Sequence, residues 1–170
     1  MRSSMSPWAP MRERRAGMDL SQLIRARELG ARESGLAVAV TSRVDGSFPA
    51  TVVNAGVLDH PVTGELAVGF VARGDATKLR NLRTRAQITV LFRSGWEWVA
   101  VEGTADLAGP DDALEGMRPH DIPQLLREVY AAAVGGRVDD WAKLDGTFAA
   151  ERHTAVLVRP VRIYSNPEES

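Results

Sequence analysis

Gly69-Phe70-Val71-Ala72-Arg73-Gly74-Asp75-Ala76-Thr77-Lys78-Leu79-Arg80-Asn81-Leu82-Arg83 joins the end of an apolar strand to the start of a short helix. The strand reads from Leu66 to Val71 and the chain turns at Arg73-Gly74. The helix is expected to begin near Asp75, whose carboxylate is suited to cap the free N–H groups of a first turn. Arg73, Lys78, Arg80 and Arg83, with Asn81, fall within eleven residues of this helix start. Cations beside unpaired helix N–H groups suit an anion, most simply a phosphate; the same charges also suit a solvated surface helix. Leu79 and Leu82 share a face that packs inward, which leaves Lys78 and Asn81 on an adjacent face and Arg80 and Arg83 on a third.

Upstream, Asp19 to Arg32 reads as a helix whose apolar stripe is Leu20, Leu23, Ile24 and the stem of Arg27. Leu36 to Thr41 is a buried strand and Asp45-Gly46 a hairpin signal. Pro49 to Leu58 is the partner strand, interrupted by Asn54 and Gly56. An amide buried in that strand needs partners, in a ligand or in a neighbouring strand. Gly56 either admits a close backbone approach or marks a bulge. Downstream, Gln87 to Phe92 and Trp96 to Ala105 are the fourth and fifth strands, turning at Ser94-Gly95. Alternation sets Trp96 and Trp98 on one face, as core, as dimer contact or as a stacking platform. A helical excursion occupies about 110–150, with Gln124 to Val134 its clear amphipathic helix and Gly135-Gly136 its stop. Thr154 to Val158 is the sixth strand, continued past a bulge by Pro160 to Tyr164.

The result is a mainly β, α+β chain: a six-stranded antiparallel barrel with flanking helices, because the strands follow one another through tight turns. Residues 1–17 read as a disordered tail, with Met11 or Met18 as alternative starts, and 18–166 as one domain. Among 170 residues, 44% are hydrophobic and 25% charged, with a net charge of −1. That balance gives no general attraction to nucleic acid or to an anionic membrane, so any basic site is local. No cysteine is present, which removes thiolate chemistry and fits a cytoplasmic setting. No apolar run reaches the ~18 residues of a membrane span. His60, His120 and His153 have no partners at metal-ligand spacing, and no nucleophile elbow, Walker loop or dinucleotide fingerprint occurs. No metal ligand and no catalytic side chain is assigned.

Strand, turn, Asp45-Gly46, strand, loop, strand, then Ala72-Arg73-Gly74-Asp75-Ala76-Thr77-Lys78-Leu79-Arg80-Asn81-Leu82-Arg83 and Gln87 to Phe92 resemble the flavin/deazaflavin oxidoreductase superfamily, the pyridoxamine-phosphate-oxidase-like split β-barrels. Lys78 to Arg83 resembles the branch that binds the deazaflavin F420. The likeness covers roughly 20–108 and the closing strand at 154–164. It implies a homodimer with cofactor sites at the interface. Thr51, Val52, Val53, Asn54 and Ala55 would run beside the tricyclic ring, largely through backbone groups. Val71, Ala72, Lys78 and Asn81, supported by Arg80 or Arg73, would hold the phosphate, and Trp96 and Trp98 of the partner would wall the site. The implied activity is hydride transfer from reduced F420 to a small unsaturated or aromatic substrate. An FMN-binding oxidoreductase and a non-enzymatic F420 carrier are the alternatives. FMN-type members usually carry Arg or Lys along the second strand, and Val52-Val53-Asn54-Ala55 has none.

Overall fold

A computed structural model describes residues 11–167, with side chains from Leu20 onward. The elements run α1 (Met11–Arg32), β1 (Leu36–Val40), β2 (Ala50–Asp59), β3 (Leu66–Ala72), α2 (Thr77–Thr84), β4 (Gln87–Ser94), β5 (Glu97–Ala108), α3 (Ile122–Val134), α4 (Trp141–Ala150) and β6 (Thr154–Ser165). A 3₁₀ turn, Pro119–Asp121, leads into α3. The strands close in the order β1-β2-β3-β6-β5-β4, and β4 pairs back to β1. Every ladder is antiparallel, as hairpin connectivity requires of β1–β2, β2–β3 and β4–β5. The six-stranded antiparallel barrel with flanking helices is therefore the fold.

Period-two alternation divides the apolar residues between two cores. Val53, Ala55, Val57, Val68, Phe70, Val90, Phe92, Val99, Val101 and Val156 point into the barrel. Leu23, Ala26 and Leu29 of α1, and Leu79 and Leu82 of α2, join them. The inward leucines of α2 are as expected. The stripe of α1 is not: Leu20 and Ile24 are exposed, and the buried line is Leu23, Ala26 and Leu29. Small residues let this helix lie close to the barrel, where a Cβ on Gly30 would come within 3.3 Å of the Phe92 ring. Helix α1 begins ahead of Asp19 and takes in residues 11–17 of the expected tail; residues 1–10 lie outside the described residues.

The second core lies outside the barrel. Leu125, Leu126 and Val129 of α3 and Phe148 of α4 cover Ala155, Leu157, Leu58 and Val71 on the outer face of β6, β2 and β3. The excursion is thus a helical lid on one barrel face. Helix α3 ends at Gly135, whose φ of 70° closes the last turn. Beneath it, Gly56 of β2 pairs with Gly69 of β3, a patch with no side chains. A Cβ on Gly56 would lie 2.4 Å from the Ala132 carbonyl carbon. Gly56 is therefore where α3 touches the sheet, neither a bulge nor a ligand approach. The bulge of β6 falls at Val161, where Glu102 pairs with Arg162 and Gly103 with Pro160.

The loop after β2 is pinned by His60. Its Nδ1 accepts from the Val62 and Thr63 N–H groups, and its Nε2 lies 2.9 Å from Asp106, which Arg159 also holds. With Nδ1 an acceptor, the proton sits on Nε2, and the ring is a buried structural link. Among the described residues no cluster of His, Asp and Glu forms a metal site, and no helix is long and apolar enough to cross a membrane.

Candidate functional site

The outward positions of β2 are Val52, Asn54, Gly56 and Leu58. Helix α3 covers only the last two. Past its flank, Val52 and Asn54 emerge uncovered, Val52 at 65% exposure. They form one wall of a groove of about 340 Å³, within the usual ~300–1,000 Å³ of ligand pockets. Val53 also lines it, as do Val71, Ala72, Arg73 and Lys78, and Tyr130, Phe148 and His153 complete it. Four separate segments (β2, the β3–α2 corner, α3 and the α4–β6 corner) meet here.

The start of α2 shapes one end. The helix begins at Thr77 after Ala76, and no side chain caps it. Asp75 is not the cap: it lies one residue too early, and its carboxylate faces the Arg73 guanidinium at 3.4 Å. The first-turn N–H groups therefore have no side-chain acceptor, which leaves the partial positive end of α2 open. Lys78 lies half-buried in that first turn, and among the described residues no hydrogen bond or ion pair engages its ammonium. Burial pushes its pKa below the ordinary lysine value. An unpaired, partly desolvated ammonium beside an uncapped helix start fits an anionic group.

The other expected residues divide. Arg73 lines the groove and is shared with Asp75 and Glu151. Asn81 does not: its Nδ2 donates to Thr41 Oγ1 at 3.1 Å, tying α2 to the end of β1. Arg80 turns back on Thr77, and Arg83 grips Asp112 through two bonds of 2.8 and 2.7 Å. Thr51 and Ala55 lie just beyond the groove, Thr51 exposed and Ala55 inside the barrel. Asn54 is exposed, so it is not an amide seeking partners in a core. Trp96 is not a strand residue: it sits in the two-residue turn between Ser94 and Glu97, 93% exposed. Trp98 packs edge-on against Tyr164, ring centres 6.0 Å apart, away from the groove of its own chain.

Three further lining residues carry no signal in the sequence. Tyr130, Phe148 and His153 stand in a row of ring contacts, Tyr130 to Phe148 at 5.8 Å and Phe148 to His153 at 5.0 Å. They give the groove an aromatic wall opposite β2. Its open side, apolar strand and aromatic wall suit a flat ring, and its cationic end suits a phosphate, so the residues present fit a phosphorylated tricyclic cofactor.

Sequence comparison finds no matching family and no matching curated protein. Solved structures do match. A conserved hypothetical protein, Rv2991 of Mycobacterium tuberculosis, superposes with a TM-score of 0.59 at 16% identity, covering 91% of this chain and 90% of its own. A pyridoxamine 5'-phosphate oxidase-related, FMN-binding protein of Nostoc punctiforme gives 0.58 at 13% identity, over 95% and 85%. The fold is the pyridoxamine-phosphate-oxidase-like split barrel. A heme-binding protein of Mycobacterium smegmatis shares this split barrel too, at 0.53 and 18% identity over 82% of this chain and 52% of that one. Solved split barrels thus include both an FMN-binding and a heme-binding protein.

The helical lid over this barrel carries its own electrostatic signature. Arg152 holds the Asp111 carboxyl below its ordinary range, and Arg127 does the same to Asp145. A depressed carboxylate adds stability that is complete above its unfolded value and is lost as pH falls through the folded one. Asp45 in the β1–β2 turn is lowered as well, by hydrogen bonds from Ser47 two residues on, but that contact ties no two elements together, so acidification below pH ~4 is expected to loosen α3 and α4 before the barrel. Amide hydrogen exchange at stepped pH checks this: lid amides should lose protection first. Equal loss across the barrel would argue against it.

Proposed function

We propose that the chain is an F420-dependent oxidoreductase, working as a homodimer on a small unsaturated or aromatic substrate. The carrying observation is Lys78, an unpaired, half-buried ammonium at the uncapped start of α2, set at the end of a groove with an aromatic wall. In this reading Lys78 and the first-turn N–H groups of α2 hold the phosphate, with Arg73 beside them. The backbone of Val52 to Asn54 runs along the ring edge, and Tyr130 and Phe148 shield the ring from water. Reduced F420 supplies a hydride when bound; the protein's part is to orient the ring and keep it dry.

The choice of F420 over FMN rests on β2. Its groove-facing positions are Val52 and Asn54, and neither carries the cation that FMN-type members usually place on this strand. The groove is open along one side, which supports completion by a second copy bringing Trp96 and Trp98. A cytoplasmic location goes with this reading.

Absorbance titration of the purified protein with F420, FMN and heme tests the proposal. F420 is expected to bind at micromolar concentration and FMN and heme more weakly. Tighter binding of FMN or heme, or no binding of F420, would overturn it.

A further inference from the structure

A second cavity, of about 520 Å³, lies within the excursion between β5 and β6 and shares Phe148 and His153 with the groove. Leu114, Met117, Ile122 and Leu126 supply the apolar remainder of its wall. The carboxylates at its edge are all taken. Arg152 holds Asp111, Arg83 holds Asp112, and Arg127 holds Asp145, each through two hydrogen bonds. His153 meets Glu151 at 2.9 Å through Nε2. The cavity therefore offers a ligand no unpaired carboxylate or guanidinium, and the one polar atom of its wall that is buried without a partner is the ring nitrogen His153 Nδ1. A charged ligand would lose its hydration there without compensation, whereas a neutral apolar one would gain from burial.

We infer that this cavity is a binding pocket for a neutral, mainly apolar small molecule, the acceptor that the cofactor in the adjoining groove serves. In calling the ligand the acceptor, the inference rests on the cofactor reading above; in the pocket's preference for a neutral ligand, it does not. Because the same two rings line both spaces, the cavity adjoins the groove, which suits a molecule whose body sits in the cavity and whose reactive end reaches past Phe148.

The test uses the full chain with labelled methionine and isoleucine methyl groups, titrated with 2-methyl-1,4-naphthoquinone. Saturable shifts are expected at Met117 and Ile122. Ala149→Trp on α4 and Ala113→Trp on the loop should each fill the cavity and weaken the quinone at least tenfold, with F420 affinity unchanged. The two variants lie on different elements, so that if one misfolds the other still decides the question. No shift at Met117 and Ile122, or equal quinone affinity in both folded variants, would overturn the pocket. Failure of F420 to bind in the same samples overturns the cofactor reading alone, because the methyl titration judges the pocket separately.

Discussion

Lys78→Ala is expected to weaken F420 binding by ~1–3 kcal/mol, roughly 5- to 150-fold, the range of a charge-assisted contact. The stability of the free protein should hold or rise slightly. The lysine's pKa is lowered by desolvation, so the unfolded chain binds its proton more readily than the folded one. That linkage costs stability while Lys78 is charged and fades as pH rises toward the unfolded lysine value. Cofactor binding has the opposite dependence. It needs the ammonium, so affinity should fall as pH rises through the lowered value, and Lys78→Arg should flatten that fall because a guanidinium stays charged. Unchanged affinity in Lys78→Ala would place the phosphate elsewhere.

Gly56→Val is expected to have the largest effect on the fold. The built Cβ lies 2.4, 2.5 and 2.6 Å from the backbone of Ala132 and Ala133, which no side-chain rotation relieves. Helix α3 must lift from β2 and β3, and with it Tyr130 and the covering of Leu58 and Val71. Overpacking typically costs ~1–3 kcal/mol; contact with a helix backbone sets this case at about 3 kcal/mol or more, or roughly 6–12 °C in melting temperature for a chain of this size. Gly146→Ala is the matched control. No atom lies within 4 Å of its built Cβ, it sits in the middle of α4, and alanine should stabilise it by up to ~1 kcal/mol. Cofactor affinity should drop in the first variant and hold in the second. An unshifted melting temperature in Gly56→Val would mean that α3 does not rest on this glycine.

The β1–β2, β2–β3 and β4–β5 pairings are legible because each hairpin carries its own turn chemistry, whereas β1–β4, β3–β6 and β5–β6 form only through tertiary folding; the β6 bulge is legible because Pro160 has no N–H to give a ladder. The face of α1 is harder to read because bulk misleads: Leu20 and Ile24 are larger than Ala26, yet close packing on Phe92 favours small residues. The outward direction of Asn54 is readable from alternation, since Val53, Ala55 and Val57 inside leave it outside. Its polar side chain among apolar neighbours suggests a buried amide and hides that count. Asp75 fits a cap by residue type and misses by position, since the Arg73-Gly74 turn runs on through Ala76. Ser94-Gly95 marks the hairpin but not its two-residue register, which leaves Trp96 in the turn. Val53, Asn54, Val71, Ala72, Arg73 and Lys78, which the resemblance sets beside a cofactor, line the groove because one strand pair and one corner carry them. Tyr130, Phe148 and His153 are not legible as groove residues, because only tertiary folding brings the lid to β2. The one local trace of that docking is the match between Gly56 and Ala131-Ala132-Ala133, small residues on both sides of a close approach.

The most direct measurement is a crystal structure grown with F420. The phosphate should lie within hydrogen-bonding distance of Lys78 Nζ at the start of α2, with the ring along Val52 to Asn54 and Tyr130 across from it. Cofactor bound on another face, with Lys78 turned to solvent and the groove beside β2 empty, would contradict it.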